Sequence, residues 1–122
     1  MRITKDLVAA SATPLVLAIL AEGDSYGYAI LKRVDELSDG RLAWTDGMLY
    51  PLLHRLQRLG YLETRWHSAG GARRRRYYRI TKAGRKALAE QQAQWQVVND
   101  ALRNAWHEMR SVMILTPGLV PA

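Results

Sequence analysis

Apolar positions recur along this chain with two different periods. Leu15, Val16, Ala18, Ile19 and Leu20 form a run that Gly23 stops. Thr13 followed by Pro14 predicts where that helix starts: a capping hydroxyl, then proline at the first helical position, where its missing N–H costs least. Thr4 to Ser11 reads as a separate turn or arm, because proline joins poorly to a preceding helix. Tyr26, Ile30, Val34 and Leu37 share one helical face and predict a helix over 26–37, capped by Ser25 and ended at Asp39-Gly40. Leu49, Leu52, Leu53, Leu56 and Leu59 make a third stripe, capped by Thr45 and stopped at Gly60. The period then falls to two. Leu62, Thr64 and Trp66 lie on one face of a strand, Tyr78 and Ile80 on one face of another, and Ser68-Ala69-Gly70-Gly71 between them is turn chemistry. Thr81 caps a final helix reaching Arg110, about 43 Å long at 1.5 Å per residue. Residues 112–122, with Pro117, Gly118 and Pro121, read as a flexible tail.

Three helices followed by a two-stranded hairpin predict a mainly α fold with a small β-hairpin: a winged helix-turn-helix over 1–81, then a long C-terminal helix over 82–111. In that arrangement the third helix enters the major groove of DNA. Its leucines face the core. Asp46, Tyr50, His54, Arg55 and Arg58 occupy the other side, with Tyr50, His54 and Arg58 aligned at intervals of four.

Charge sharpens this picture. The 122 residues carry a formal net charge of +7. Residues 41–86 hold twelve basic side chains (Arg41, Arg55, Arg58, Arg65, Arg73 to Arg76, Arg79, Lys82, Arg85, Lys86) against Asp46 and Glu63, a net +10; the segments on either side are weakly acidic. A localised block of this kind points to one surface that meets a polyanion. Arg73, Arg74, Arg75 and Arg76 repel one another unless an anion joins them, and they fall on alternating faces of the hairpin beside its glycine tip. There they suit phosphate contact or an A·T-rich minor groove.

Composition excludes other classes. There is no cysteine, so disulfides, thiol nucleophiles and thiolate metal sites are absent. His54, His67 and His107 have no metal-ligand spacing. An enzyme would have to use Glu63 with Asp46, or His54 with a carboxylate, and no nucleophile elbow or phosphate loop accompanies them. We therefore expect no catalysis, no cofactor and no metal. The start carries no signal-peptide pattern, and the longest apolar run, 14–21, is too short to cross a bilayer. A cytoplasmic protein without membrane contact is expected.

The last helix has its own pattern. Leu88, Trp95, Leu102 and Met109 repeat every seven residues; Gln91, Val98, Ala105 and Val112 fill the intervening positions, and Trp106 widens the stripe. This is a coiled-coil seam with one polar break, and it predicts a homodimer that presents two recognition helices to a near-palindromic double-stranded site. Trp95 admits two roles: it fills the dimer core, or it faces its copy across the two-fold axis to form a flat slot for a planar aromatic or lipophilic effector, with Gln91 and Val98 beside it.

Three segments resemble a known family. Asp46-Gly47-Met48-Leu49-Tyr50-Pro51-Leu52-Leu53-His54-Arg55-Leu56 resembles the recognition-helix signature of PadR-family transcriptional regulators. Gly71 to Gly84, with Arg73 to Arg76, Tyr77 and Tyr78, is similar to that family's wing, and Ala21 to Tyr28 to its first turn. The resemblance implies a homodimeric repressor of the compact subfamily, dimerised through the last helix and the partner's first helix. It adds Tyr28, Thr45, Met48, Pro51 and Tyr77 to the expected DNA-contacting residues. It also implies an effector pocket at Trp95, by likeness to a multidrug-responsive member. Met48 stands where the family commonly has threonine, and Pro14 is unusual. The alternative is a nucleic-acid-binding protein without sequence preference or ligand response.

Overall fold

A computed structural model of the chain describes residues 1–68 and 74–115, with side chains up to 110. Its elements run α1 (Lys5–Glu22), α2 (Gly27–Ser38), α3 (Asp46–Arg58), β1 (Leu62–Ser68), β2 (Arg74–Ile80) and α4 (Lys82–Leu115). This is the expected mainly helical architecture with one antiparallel hairpin and a long last helix. The packing falls into two compact units, Met1–Ala89 and Glu90–Ala122.

The first helix corrects the sequence reading. Thr13-Pro14 does not start it. A single helix begins at Lys5, capped by Thr4, whose Oγ1 accepts from the Leu7 N–H at 3.4 Å, and Pro14 lies inside it. Interior proline costs about 3 kcal/mol relative to alanine. That cost is offset because Ala12 on one side of Pro14, and Val16, Leu17, Ile19 and Leu20 on the other, are all buried in one core. A break at Pro14 would pull Ala12 out of it.

Ser25 is not a helix cap either. Its N–H donates to the Tyr78 carbonyl at 3.1 Å and its carbonyl accepts from the Tyr78 N–H at 2.7 Å, a β-bridge that docks the hairpin on the α1–α2 turn. The residue before α2 is Tyr26, which makes no side-chain cap bond. The helix closes on Asp39 and Gly40, both left-handed at φ 53° and 72°.

The third helix forms as expected. Thr45 caps it by accepting from the Met48 N–H at 3.3 Å, Asp46 opens it, and Arg55 and Arg58 lie in its last turn, opposite charges at the ends that favour each. Leu49, Leu52, Leu53 and Leu56 are buried, whereas Leu59 is exposed.

The strands pair from Leu62↔Ile80 to Ser68↔Arg74. Leu62, Tyr78 and Ile80 join the core with Ile30 and Val34 of α2 and Ala87 of α4. Ser68, expected in the turn, instead ends β1 and pairs with Arg74; the rest of that turn, Ala69-Gly70-Gly71, and Arg73 fall within residues 69–73, outside the described residues. The Thr81 hydroxyl donates to the Gly60 carbonyl at 2.6 Å and accepts from the Gly84 N–H at 3.0 Å, so one side chain closes α3 and opens α4. The last helix runs to Leu115 rather than Arg110, so Val112 to Leu115 is helical and not tail. Residues 116–122 lie outside the described residues. No described helix is long and apolar enough to cross a membrane.

Candidate nucleic-acid interface

Three helical intervals of four place Asp46, Tyr50, His54 and Arg58 in one exposed row on α3, opposite the buried leucines, with Pro51 exposed beside them. Tyr50 is 41% exposed. Its hydroxyl lies so close to Gly27, the first residue of α2, that a Cβ there would sit 2.5 Å from the oxygen. Glycine is what lets the Tyr50 ring lie against the start of α2. Arg55 is turned elsewhere: its Nη2 donates to Thr13 Oγ1 of α1 at 3.2 Å. Met48 is half-buried against the core, and the Thr45 hydroxyl is spent on the cap. Tyr28, in the first turn of α2, is 69% exposed.

The hairpin sorts its arginines by face, as strand alternation requires. Arg76 lies opposite Trp66, and Arg74 opposite Ser68, on the same face. Their guanidinium carbons stand 5.7 and 5.3 Å from the Trp66 ring centre. Arg75 belongs to the other face, where its guanidinium covers Tyr26 at 4.6 Å. Tyr26 meets Tyr77 edge-on at 5.3 Å, and Tyr77 meets His67 likewise at 5.6 Å. Arg79 is already paired. Its Nε and Nη2 grip the Asp24 carboxylate at 3.0–3.3 Å, which raises the guanidinium pKa above its ordinary value. No ion pair among the described residues involves Arg58, Arg65, Arg74, Arg75 or Arg76.

Helix and hairpin meet at the base of β2. Tyr78 is buried, and burial pushes its hydroxyl pKa up, opposed by the Arg76 guanidinium and reinforced by Tyr50. Tyr50, Tyr78 and Arg76 are therefore neighbours in charge terms. Tyr50 also touches Gly27, whose preceding residue carries Arg75. Tyr26 and Trp66 were not singled out as site residues from the sequence. The signal was present for Trp66, since an antiparallel hairpin turning at 68–71 puts it opposite the arginine run. Nothing local to Tyr26 announced its partner. Among the described residues no group of three or more His, Asp or Glu could hold a metal ion.

The chain is similar to known transcriptional regulators in sequence and in fold. The sequence model of the transcriptional regulator PadR-like family matches residues 16–90. A solved PadR-family transcriptional regulator from Eggerthella lenta is 36% identical, with a TM-score of 0.70 over 83% of this chain and 86% of its own. A solved transcriptional regulator from Clostridium thermocellum is 29% identical, with a TM-score of 0.76 over 84% of this chain and 96% of its own. The transcriptional regulator YqjI of Escherichia coli is 26% identical over 89 residues, 73% of this chain but 41% of YqjI.

Proposed function

The chain belongs to the PadR-like family of transcriptional regulators, and from that premise we propose that it is a homodimeric repressor which binds a near-palindromic operator and leaves it when a planar aromatic or lipophilic effector binds. As a family member it is a DNA-binding regulator of transcription; the oligomeric state, the sign of the control and the effector are the proposal. The observation that carries it is the pairing of an exposed Asp46-Tyr50-His54-Arg58 row with unpaired hairpin arginines in the same compact unit. In this reading residues 1–81 bind DNA. Tyr50, His54 and Arg58 meet base edges, with Pro51 and Tyr28 at the flanks. Arg74, Arg75 and Arg76, together with Arg73, hold phosphates.

Residues 82–111 pair with a second copy. Val98, Leu102, Trp106 and Met109 are exposed in the single chain, an apolar series along one helix that a second copy would cover. Trp95 and Gln91 are half-buried and Val98 exposed, and the three form the effector slot in the dimer.

Gel-shift titration against a duplex selected from a random library tests the DNA reading. Tight binding is expected that falls steeply with salt and exceeds binding to random duplex by at least about a thousandfold. Equal affinity for both duplexes would favour a non-specific nucleic-acid binder. Full affinity in the Tyr50→Ala, Arg74→Ala, Arg75→Ala triple variant would remove these residues from the interface. For the effector, quenching of tryptophan fluorescence by planar aromatic compounds, lost in Trp95→Ala, is expected.

A further inference from the structure

The arginines of the hairpin do not hang free. Trp66 is an exposed tryptophan on a strand, 54% accessible, where a large apolar ring gains little by burial. Two cations lie over it, one directly across the ladder and one diagonal to it, both inside the roughly 6 Å over which a guanidinium is attracted to an aromatic face. On the opposite face Tyr26 carries Arg75 at a still shorter distance. Three consecutive arginines thus rest on two aromatic platforms, one within the hairpin and one at the start of α2. Arg76 is half-buried, and its Nε has no hydrogen-bond partner. Its guanidinium is attracted by the Trp66 ring on one hand and by the buried Tyr78 hydroxyl on the other.

We infer that Trp66 and Tyr26 are positioning residues of the DNA interface: they pre-order Arg74, Arg76 and Arg75, so that the ordering of these long side chains is completed in the free protein rather than on the duplex. The inference rests on the DNA-binding reading and adds residues that carry no charge and need no contact with DNA. Tyr26 has a second effect. Because it directly precedes α2, the cation stacked on it is held in register with the helix-turn-helix, and the bridge at Ser25 holds the same strand one residue-pair away. The wing face bearing Arg75 is thereby indexed to the helix that carries Tyr50.

Immobilising a rotamer-rich side chain on binding costs enough that removing the platform under two arginines lowers affinity by about five- to tenfold. Trp66→Ala is expected to show that loss on the selected operator, and Trp66→Phe, which keeps a ring, to recover most of it. The Arg74→Ala, Arg76→Ala pair is expected to lower the salt slope by about two. In that double-arginine background Trp66→Ala is expected to be nearly silent. If it costs as much there as in the parent, the ring touches DNA itself and the inference falls. It falls too if Trp66→Ala changes affinity less than twofold, or if phenylalanine recovers nothing. The same cycle with Tyr26→Leu and Arg75→Ala tests the other platform.

A measurement without DNA separates this inference from the functional reading. NMR order parameters at the arginine Nε are expected to be higher for Arg74 and Arg76 than for Arg58, and to drop to the Arg58 level in Trp66→Ala. No difference would overturn the ordering while leaving DNA binding intact. Ordered arginines in a protein that binds no duplex would overturn the functional reading, and with it the role of the platforms at DNA, while leaving the ordering of the arginines by the rings intact.

Discussion

Tyr78 fills the space between hairpin and helices, and its hydroxyl is buried without a hydrogen-bond partner. A buried polar group left unpaired is a cost, not a gain. Tyr78→Phe is therefore expected to leave stability unchanged or raise it by up to about 1 kcal/mol, read from urea unfolding. Its raised pKa gives a second signature. The unfolded tyrosine ionises near pH 10 and the folded one only above that, so stability is full below pH 10 and falls as pH rises beyond it. The phenylalanine variant is expected to lose less on the alkaline side. Gly84 is the converse case. A Cβ there would run into the Tyr61 carbonyl and come within 2.7 Å of the Ile80 side chain. Backbone cannot step aside as a side chain can. Gly84→Ala is expected to cost about 1–3 kcal/mol, measured the same way.

Among the elements, α1 carries the clearest conflict between local preference and tertiary demand. Its interior proline removes one backbone donor, while the residues around it are held by burial. Pro14→Ala keeps the buried face and restores the donor. Thermal unfolding is expected to show a gain of about 1–2 kcal/mol, since part of the 3 kcal/mol helix preference is returned by the freer unfolded chain. A loss of stability would mean that the Pro14 ring itself packs better than the restored bond repays. The hairpin shows a different division of labour. Its base is core, through Leu62, Tyr78 and Ile80, and its docking is backbone and ionic, through the Ser25 bridge and the Asp24–Arg79 pair. That pair is exposed and screened by solvent, so it adds little to stability. It does decide that Arg79 is not among the free cations.

The behaviour of the whole molecule turns on α4. At 34 residues it is about 51 Å long. None of the described side chains from Glu90 to Arg110 is fully buried, and Trp106 is 56% exposed. If a second copy covers the stripe, Leu102→Glu with Trp106→Glu is expected to give a monomer at micromolar concentration by analytical ultracentrifugation, with circular dichroism near the parent's. Operator affinity is then expected to fall by at least about a hundredfold, because one half-site engaged alone loses the effective concentration of the second. A dimer that survives both charges would place the contact elsewhere.

The amino-acid order alone determined the elements whose signals are local and mutually consistent. Thr45 with four buried leucines and a glycine stop specifies α3 almost to the residue. The change of period after Gly60 specifies the hairpin, and with it the concentration of charge on one segment. Proline at position 14 misled because its local penalty is real, and only the burial of Ala12 with Val16, which requires the packed core, outweighs it. Ser25 misled for a related reason: a small hydroxyl before a helix suits a cap, but the strand that claims its backbone lies 53 residues further on. Tertiary contact alone decided which cations stay available. Arg55 turns to Thr13, Arg79 to Asp24, and the wing arginines to Trp66 and Tyr26. Charge is a property of composition, whereas its availability depends on neighbours distant in the chain.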